Sequence, residues 1–238
     1  MSRHNKRYNA PTEKWGIPTK ESFWAPTPSP GPHSADRSIP LIVVLRDILR
    51  YTETSKEAES VLSERKVKVD GKVRTDKNLP VGLMDVISIP SLSEDYRVLF
   101  DQKGKFRLLP IDKAQAEWKL VKIIDKTTLK GGITQYNLHD GSNIRLDDGS
   151  EYKTKDVLKI QLPTRKILES YEFSEGKMAL VTGGNHIGEI DTVKEYEVIR
   201  GSQPNFVRFE SGITTVEDYV FIIGKDKPVI EIPEVGII

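Results

Sequence analysis

Lys66-Val67-Lys68-Val69-Asp70-Gly71-Lys72-Val73-Arg74 is the stretch from which the rest of the chain is read. Val67 and Val69 alternate with Lys66 and Lys68, so one face of a strand is apolar and the other carries only cations. Asp70-Gly71 supplies a turn, because glycine adopts positive φ without steric cost and aspartate does so better than most residues. A two-residue turn would set Val69 opposite Lys72 and mix the faces. A three-residue loop over Asp70-Gly71-Lys72 pairs Val69 with Val73 and Lys68 with Arg74, and is the expected form. It leaves Lys66, Lys68 and Arg74 as a solvated basic comb.

Two helices are expected before this strand. Leu41, Ile42, Val44, Leu45, Ile48 and Leu49 recur at helical spacing, with Arg46 and Arg50 four apart on the opposite face. Thr54 with Glu57 reads as a capping box, after which Ala58, Val61 and Leu62 form a second apolar stripe ending near Arg65. After the basic hairpin, Leu79-Pro80-Val81-Gly82 reads as a bend and Val86-Ile87-Ser88-Ile89 as a short strand closed by Pro90. The order is helix, helix, small sheet.

With the V-x-V-[DN]-G signature after the second helix, this order resembles the small RNA-binding module first named for ribosomal protein S-four. That family commonly opens its first helix with Arg, where this chain has Ile39-Pro40-Leu41, and its second with Ser-Arg, where this chain has Ser55-Lys56. The resemblance therefore carries Lys56, Arg46 and Arg50 over as candidate phosphate contacts, and leaves open which of them contribute.

A chain of 238 residues with 37% hydrophobic residues can build two or three small domains with modest cores. No apolar run approaches the roughly 20 residues of a membrane helix, and the N-terminus lacks an apolar signal core. The absence of cysteine excludes disulfides, thiolate metal sites and thiol nucleophiles, and four scattered histidines give no metal-ligand spacing. Lys and Arg total 36 against 35 Asp and Glu, a net charge of only +1. The distribution is uneven: residues 1–50 carry 8 basic and 4 acidic side chains, residues 201–238 carry 3 and 6. Phosphate contacts need local cations, and Arg65 to Lys77 supplies six.

Residues 1–38 read as an extended basic and proline-rich arm. Arg3, His4, Lys6 and Arg7 cluster without a nearby acid, and Pro26, Pro28, Pro30 and Pro32 alternate, which forbids helix and favours an extended path. Alone, such a segment is a flexible tail. On RNA it would order, with cations on phosphates and Trp15, Phe23 and Trp24 stacked on bases. Residues 93–172 read as a compact β-rich domain. It opens with a hairpin over Tyr96 to Leu109, then a short helix capped by Asp112, then strands at Lys119–Ile124, Gln135–Leu138, Asn143–Leu146, Val157–Leu162 and Ile167–Phe173.

From Lys177, Met178-Ala179-Leu180-Val181-Thr182-Gly183-Gly184-Asn185-His186-Ile187-Gly188-Glu189-Ile190 sets glycines after an apolar strand. They do not fit G-x-G-x-x-G and no helix follows, so a dinucleotide site is excluded. Strand, glycine turn and strand at this length resemble the KOW motif of small SH3-like barrels, with Gly188 at its glycine position. Phe206–Phe209 and Tyr219–Ile223 would complete that barrel.

The two modules in this order resemble the archaeal and eukaryotic small-subunit ribosomal protein S-four-e family over essentially the whole chain. Its marks include Ala25-Pro26-x-Pro28-Ser29-x-Gly31-Pro32-His33, Asp70-Gly71-Lys72-Val73-Arg74-Thr75-Asp76, Met84-Asp85-Val86-Ile87-Ser88-Ile89 and Val181-Thr182-Gly183-Gly184-Asn185. The implied fold class is α+β multidomain: arm 1–38, helix-helix-sheet RNA-binding module 39–92, central β-rich domain 93–172, and KOW/SH3-like barrel with tail 173–238. The implied function is that of a structural constituent of the small ribosomal subunit, cytoplasmic, binding ribosomal RNA and neighbouring ribosomal proteins, without enzymatic activity, cofactor, membrane or small-molecule substrate. The expected contacts are Lys66, Lys68, Lys72 and Arg74, then Arg3, Lys6 and Arg7, with Asn185 and His186 at a turn tip facing sugar or base edges. The alternatives are a ribosome-associated or RNA-modifying factor that docks through the first module, and a protein-binding adaptor.

Overall fold

The structure, a computed structural model, describes residues 4–6, 12–18, 20, 23–147, 152–201, 203–225 and 227–231. It is a mixed α/β protein built mostly from strands. The chain divides into two compact units. One holds Met1–Leu99, Lys105–Lys119 and Leu162–Thr164, and the other holds Phe100–Gly104, Leu120–Gln161 and Arg165–Ile238.

In the first unit β1 (His4–Lys6) pairs antiparallel with β2 (Trp24–Pro26), and α1 (Thr12–Trp15) lies between them in sequence. β3 (Ser38–Pro40) runs into α2 (Leu41–Val43), which passes without a break into π winding over Val44–Ile48. Then come α3 (Ser55–Ser63), β4 (Lys68–Val69), β5 (Lys72–Val73), β6 (Pro80–Gly82), β7 (Val86–Ile89), β8 (Glu94–Phe100), β9 (Phe106–Ile111) and α4 (Lys113–Ala116). The main sheet has the order β5-β4-β7-β8-β9, and β3 pairs with β6.

The valine alternation places Val67 and Val69 in the core, while Lys66 is exposed and Lys68 half-buried. The capping box forms: Thr54 Oγ1 accepts from the Glu57 N–H at 3.2 Å and the Glu57 carboxylate accepts from the Thr54 N–H at 3.4 Å. Four expectations need correction. The basic hairpin closes through a two-residue turn, with Lys68 opposite Val73 and Val69 opposite Lys72. Asp70 (φ 54°) and Gly71 (φ 71°) are both left-handed, the form whose twist matches the flanking strands. Mixing the faces costs little, because β5 is an edge strand of two exposed residues.

The first helix is not a regular amphipathic one. Leu41 to Leu45 are all buried, so burial on every side holds a segment rich in β-branched residues. The π winding ends at Leu49, whose N–H donates to the Val44 carbonyl, and Arg50 lies beyond it in a left-handed conformation (φ 55°), so Arg46 and Arg50 do not share a helical face. Pro80–Gly82 is a strand rather than a bend, because it finds a non-local partner in β3, with Ile39 opposite Val81. Prolines fit this short two-stranded edge. The arm, expected to order only on RNA, is seated where it is described. Trp15 and Ala25 are buried, and the Trp15 indole N–H donates to the Ser38 carbonyl at 3.0 Å.

The hairpin of β8 and β9 extends the module's own sheet, with Ile87 opposite Tyr96. Asp112 stands at the N-cap of α4, but its side chain makes no cap bond.

In the second unit, β10 (Trp118–Thr128, here from Leu120), β11 (Thr134–Leu138), β12 (Asn143–Leu146), β13 (Val157–Gln161) and β14 (Ile167–Tyr171) form a sheet of order β12-β11-β10-β13-β14. Val121, Ile123, Tyr136, Leu138, Ile144, Leu158 and Ile160 make its core. β15 (Met178–Val181), β16 (Ile190–Glu197), β17 (Phe206–Phe209), β18 (Thr214–Val216) and β19 (Val220–Gly224) form a second sheet, β18-β17-β16-β15-β19. Gly188 (φ +86°) in the β15–β16 connection is required twice over: its conformation is left-handed, and a Cβ there would fall 2.0 Å from the Asp101 carbonyl oxygen.

Candidate nucleic-acid interface

The cations that the sequence singles out lie along the β4–β5 hairpin but not on the one face expected: with Val69 opposite Lys72, Lys72 and Arg74 share the Val69 face and Lys68 the other. Lys72 is exposed, and Lys68 and Arg74 are half-buried. The Arg74 Nε is buried and makes no hydrogen bond among the described residues. Lys66 is engaged by Glu64 at 2.5 Å. Of the helix candidates, Lys56 on α3 and Arg50 just past the π turn are exposed. Arg46 differs: its guanidinium forks onto Asp47, Nε to Oδ1 at 3.0 Å and Nη2 to Oδ2 at 2.8 Å, which neutralises it locally.

Arg65, not among the expected contacts, is exposed and left-handed (φ 60°) where the chain leaves α3 for the hairpin. Its place just beyond a helix end and one residue before the basic strand was the available signal. Arg3 and Arg7 lie outside the described residues, and of Lys6 only the backbone in β1 is described. Asn185 and His186 belong to the second unit, in the connection between β15 and β16. Asn185 is exposed, and His186 Nδ1 lies 3.1 Å from Glu189 Oε1.

Behind the hairpin sits a buried polar chain. Lys119, 1% exposed, places its ammonium 2.6 Å from Asp70 Oδ2 and 3.1 Å from Asp85 Oδ1. Asp85 Oδ2 lies 2.9 Å from His33 Nε2 and accepts the Gly82 N–H at 3.0 Å, while Asp70 Oδ1 accepts the Val86 N–H at 3.1 Å. Burial alone would raise the Asp85 carboxyl. The charges of His33 and Lys119, with hydrogen bonds from His33 and Gly82, overcome it and hold Asp85 far below the usual carboxylate range. Burial and the neighbouring Asp85 push the Asp70 carboxyl up to about 6 against the pull of Lys119, so Asp70 is the member of the pair that protonates first. His33 and Asp85 lie in stretches that carry the family resemblance, whereas Lys119 gave no sequence signal.

A surface of this kind, cations fixed on a rigid hairpin with few acids beside them, suits a polyanion backbone. No group of three or more metal-ligating side chains occurs among the described residues, and no helix there is long and apolar enough to cross a membrane.

Three family models match the chain. The S4 domain matches residues 40–87, the ribosomal family S4e residues 92–167, and the RS4NT (NUC023) domain residues 1–36. The small ribosomal subunit protein eS4 of Methanothermobacter thermautotrophicus is 45% identical over 235 residues, covering 97% of this chain and 96% of that protein. The chain belongs to the ribosomal S4e family. A second S4e relative, the eS4 protein of Methanosphaera stadtmanae, is 46% identical over 233 residues, covering 97% of this chain and 95% of its own. The crystal structure of the 30S ribosomal protein S4e from Thermoplasma acidophilum shares the fold with a TM-score of 0.71 at 36% identity, covering 80% of this chain and 96% of that one.

Proposed function

We infer that this member of the S4e family is a structural constituent of the small ribosomal subunit that binds ribosomal RNA and supports subunit assembly and translation. One observation carries the reading beyond family membership. Lys68, Lys72 and Arg74 stand on one hairpin with no acidic partner among the described residues, on a core-anchored strand pair. Arg50, Lys56 and Arg65 add cations from the preceding helix region, and Lys66 contributes once RNA phosphate competes with Glu64. Arg46 contributes least, because Asp47 already occupies its guanidinium. Arg3, Lys6 and Arg7 extend the contact along the arm.

The five-stranded sheet from β15 to β19, with Gly188 at the turn, supports the reading of residues 173–238 as an SH3-like KOW module, with 39–92 as the RNA-binding module and 93–172 as a central domain. Asn185 and His186 meet RNA or a neighbouring ribosomal protein at that turn. The protein works by holding RNA and performs no catalysis, and its place is the cytoplasmic ribosome.

Sedimentation tests this. After a high-salt wash on a sucrose gradient, the protein should co-migrate one-to-one with small subunits. Release by salt at substoichiometric occupancy would instead identify an associated factor or an adaptor.

A further inference from the structure

We propose that Lys119 is a positioning residue for the hairpin turn, and that through Lys119 and Asp85 the seating of the arm at His33 sets the order of that turn. The inference rests on the RNA-binding reading for its purpose, though not for its mechanism.

The geometry is a continuous relay inside the first unit. It runs from His33 Nε2 to Asp85 Oδ2 (2.9 Å), from Asp85 Oδ1 to Lys119 Nζ (3.1 Å), and from Lys119 Nζ to Asp70 Oδ2 (2.6 Å). Three of the four residues are buried: His33 at 9%, Asp85 at 2% and Lys119 at 1% exposure. Lys119 thus shares one ammonium between two carboxylates. Loosening either bond changes what the other must satisfy, because a buried charge that loses a partner is expensive to leave alone.

Asp70 is also the first residue of the two-residue turn, held at φ 54° where a non-glycine residue needs support. Its other oxygen takes the Val86 N–H, so the same carboxylate ties the turn to β7. At the far end, His33 belongs to the proline-rich segment, and its ring lies against Gly82, where a Cβ would come within 2.4 Å of it. Docking the arm therefore fixes Asp85, Asp85 orients Lys119, and Lys119 braces the turn that presents Lys72 and Arg74.

The test is amide hydrogen exchange on the full chain, combined with RNA binding as a function of salt. His33→Leu should speed exchange of the Val86 amide by about tenfold, the range of coupling seen for residues sharing one network. Lys119→Met should do so at least as strongly and make a further His33→Leu change nearly silent at Val86, and Lys119→Arg should restore most of the protection. Affinity for small-subunit RNA should fall by a similar factor in both variants with the salt slope unchanged, because no phosphate contact is removed. Normal Val86 protection in His33→Leu, with faster exchange at Val81 beside the arm, would overturn the coupling, and that variant decides even where Lys119→Met does not fold. A wild-type chain that ignores the RNA while the exchange coupling holds would reject the proposed function and leave the relay standing.

Discussion

Replacing Gly82 with alanine adds a single methyl group, and the structure assigns it a large effect. A Cβ at position 82 would lie 2.4 Å from His33 Cγ, 2.5 Å from Nδ1 and 2.6 Å from Cδ2. These atoms include the root of the imidazole, so a small rotation of its far end gives no relief. Either the ring leaves its pocket or the β3–β6 pairing opens. Losing one partner of a buried ion pair costs about 3–5 kcal/mol. Here Lys119 and the Gly82 N–H still hold Asp85, which places the loss toward the lower end. Alanine also restricts the unfolded chain, returning about 0.4–1 kcal/mol. The net expectation is a loss of about 2–3 kcal/mol, by combination of those two terms. Urea unfolding followed by fluorescence of the buried Trp15 would read it, at constant m-value. Adding His33→Ala should remove the clash, so the double variant should be no less stable than Gly82→Ala alone. A loss under about 1 kcal/mol, of the size ordinary for a surface change, with the His33 resonances unmoved, would refute the seating of the ring on Gly82.

Changing Lys68, Lys72 and Arg74 together to alanine should flatten the plot of log binding constant against log salt by about 0.7–0.9 per lost phosphate contact; an unchanged slope would clear this hairpin of RNA contact. Trp15→Ala should cost about 3–5 kcal/mol as a buried large-to-small change, and a cost near zero in a urea melt would mean that the arm is not packed. The Asp70 carboxyl should titrate by carbon NMR near 6, above its ordinary 3.8. A folded value above the unfolded one gives stability that is fully present below 3.8 and lost as pH rises through about 6. Asp70→Asn, which imitates the protonated acid, should therefore have its greatest stability relative to the unaltered protein at pH 7. That margin should shrink as pH falls toward 4; parallel stability curves would contradict the raised value.

Period-two alternation at Val67 and Val69 and the Thr54–Glu57 box were legible because each is decided within a few residues. The turn length was not, since the argument for a longer loop assumed that β5 must keep an apolar face. As an edge strand with both residues exposed, it has no such need. The first helix was misread for a related reason. Periodicity assumes one solvated face, whereas Leu41 to Leu45 are buried whichever way they point. The strand at Pro80–Gly82 depends on a partner about 40 residues away and the seat of Trp15 on Ser38, 23 residues on, separations that no local pattern encodes. The buried relay was hidden for the same reason, because His33, Asp85 and Lys119 look like isolated polar residues until the fold brings them together.

A net charge of only +1 is compatible with binding a polyanion because of how the first unit pairs its charges. Several of its acids are committed within the fold: Asp70 and Asp85 to Lys119, Glu57 to the start of α3, Asp47 to Arg46, Glu59 to Lys77 and Glu64 to Lys66. Arg50, Lys56, Arg65, Lys68, Lys72 and Arg74 have no acidic partner among the described residues, and all fall between the first helix and the far strand of the hairpin. Exposed ion pairs contribute little to stability, so partnering these six would gain the fold almost nothing. Facing phosphates, each unpaired cation can release a condensed counterion without first giving up an intramolecular partner. The balance that matters for RNA is therefore the charge left over after internal pairing, and in this stretch six cations outnumber the acids Glu53 and Glu57 that have no cationic partner among the described residues.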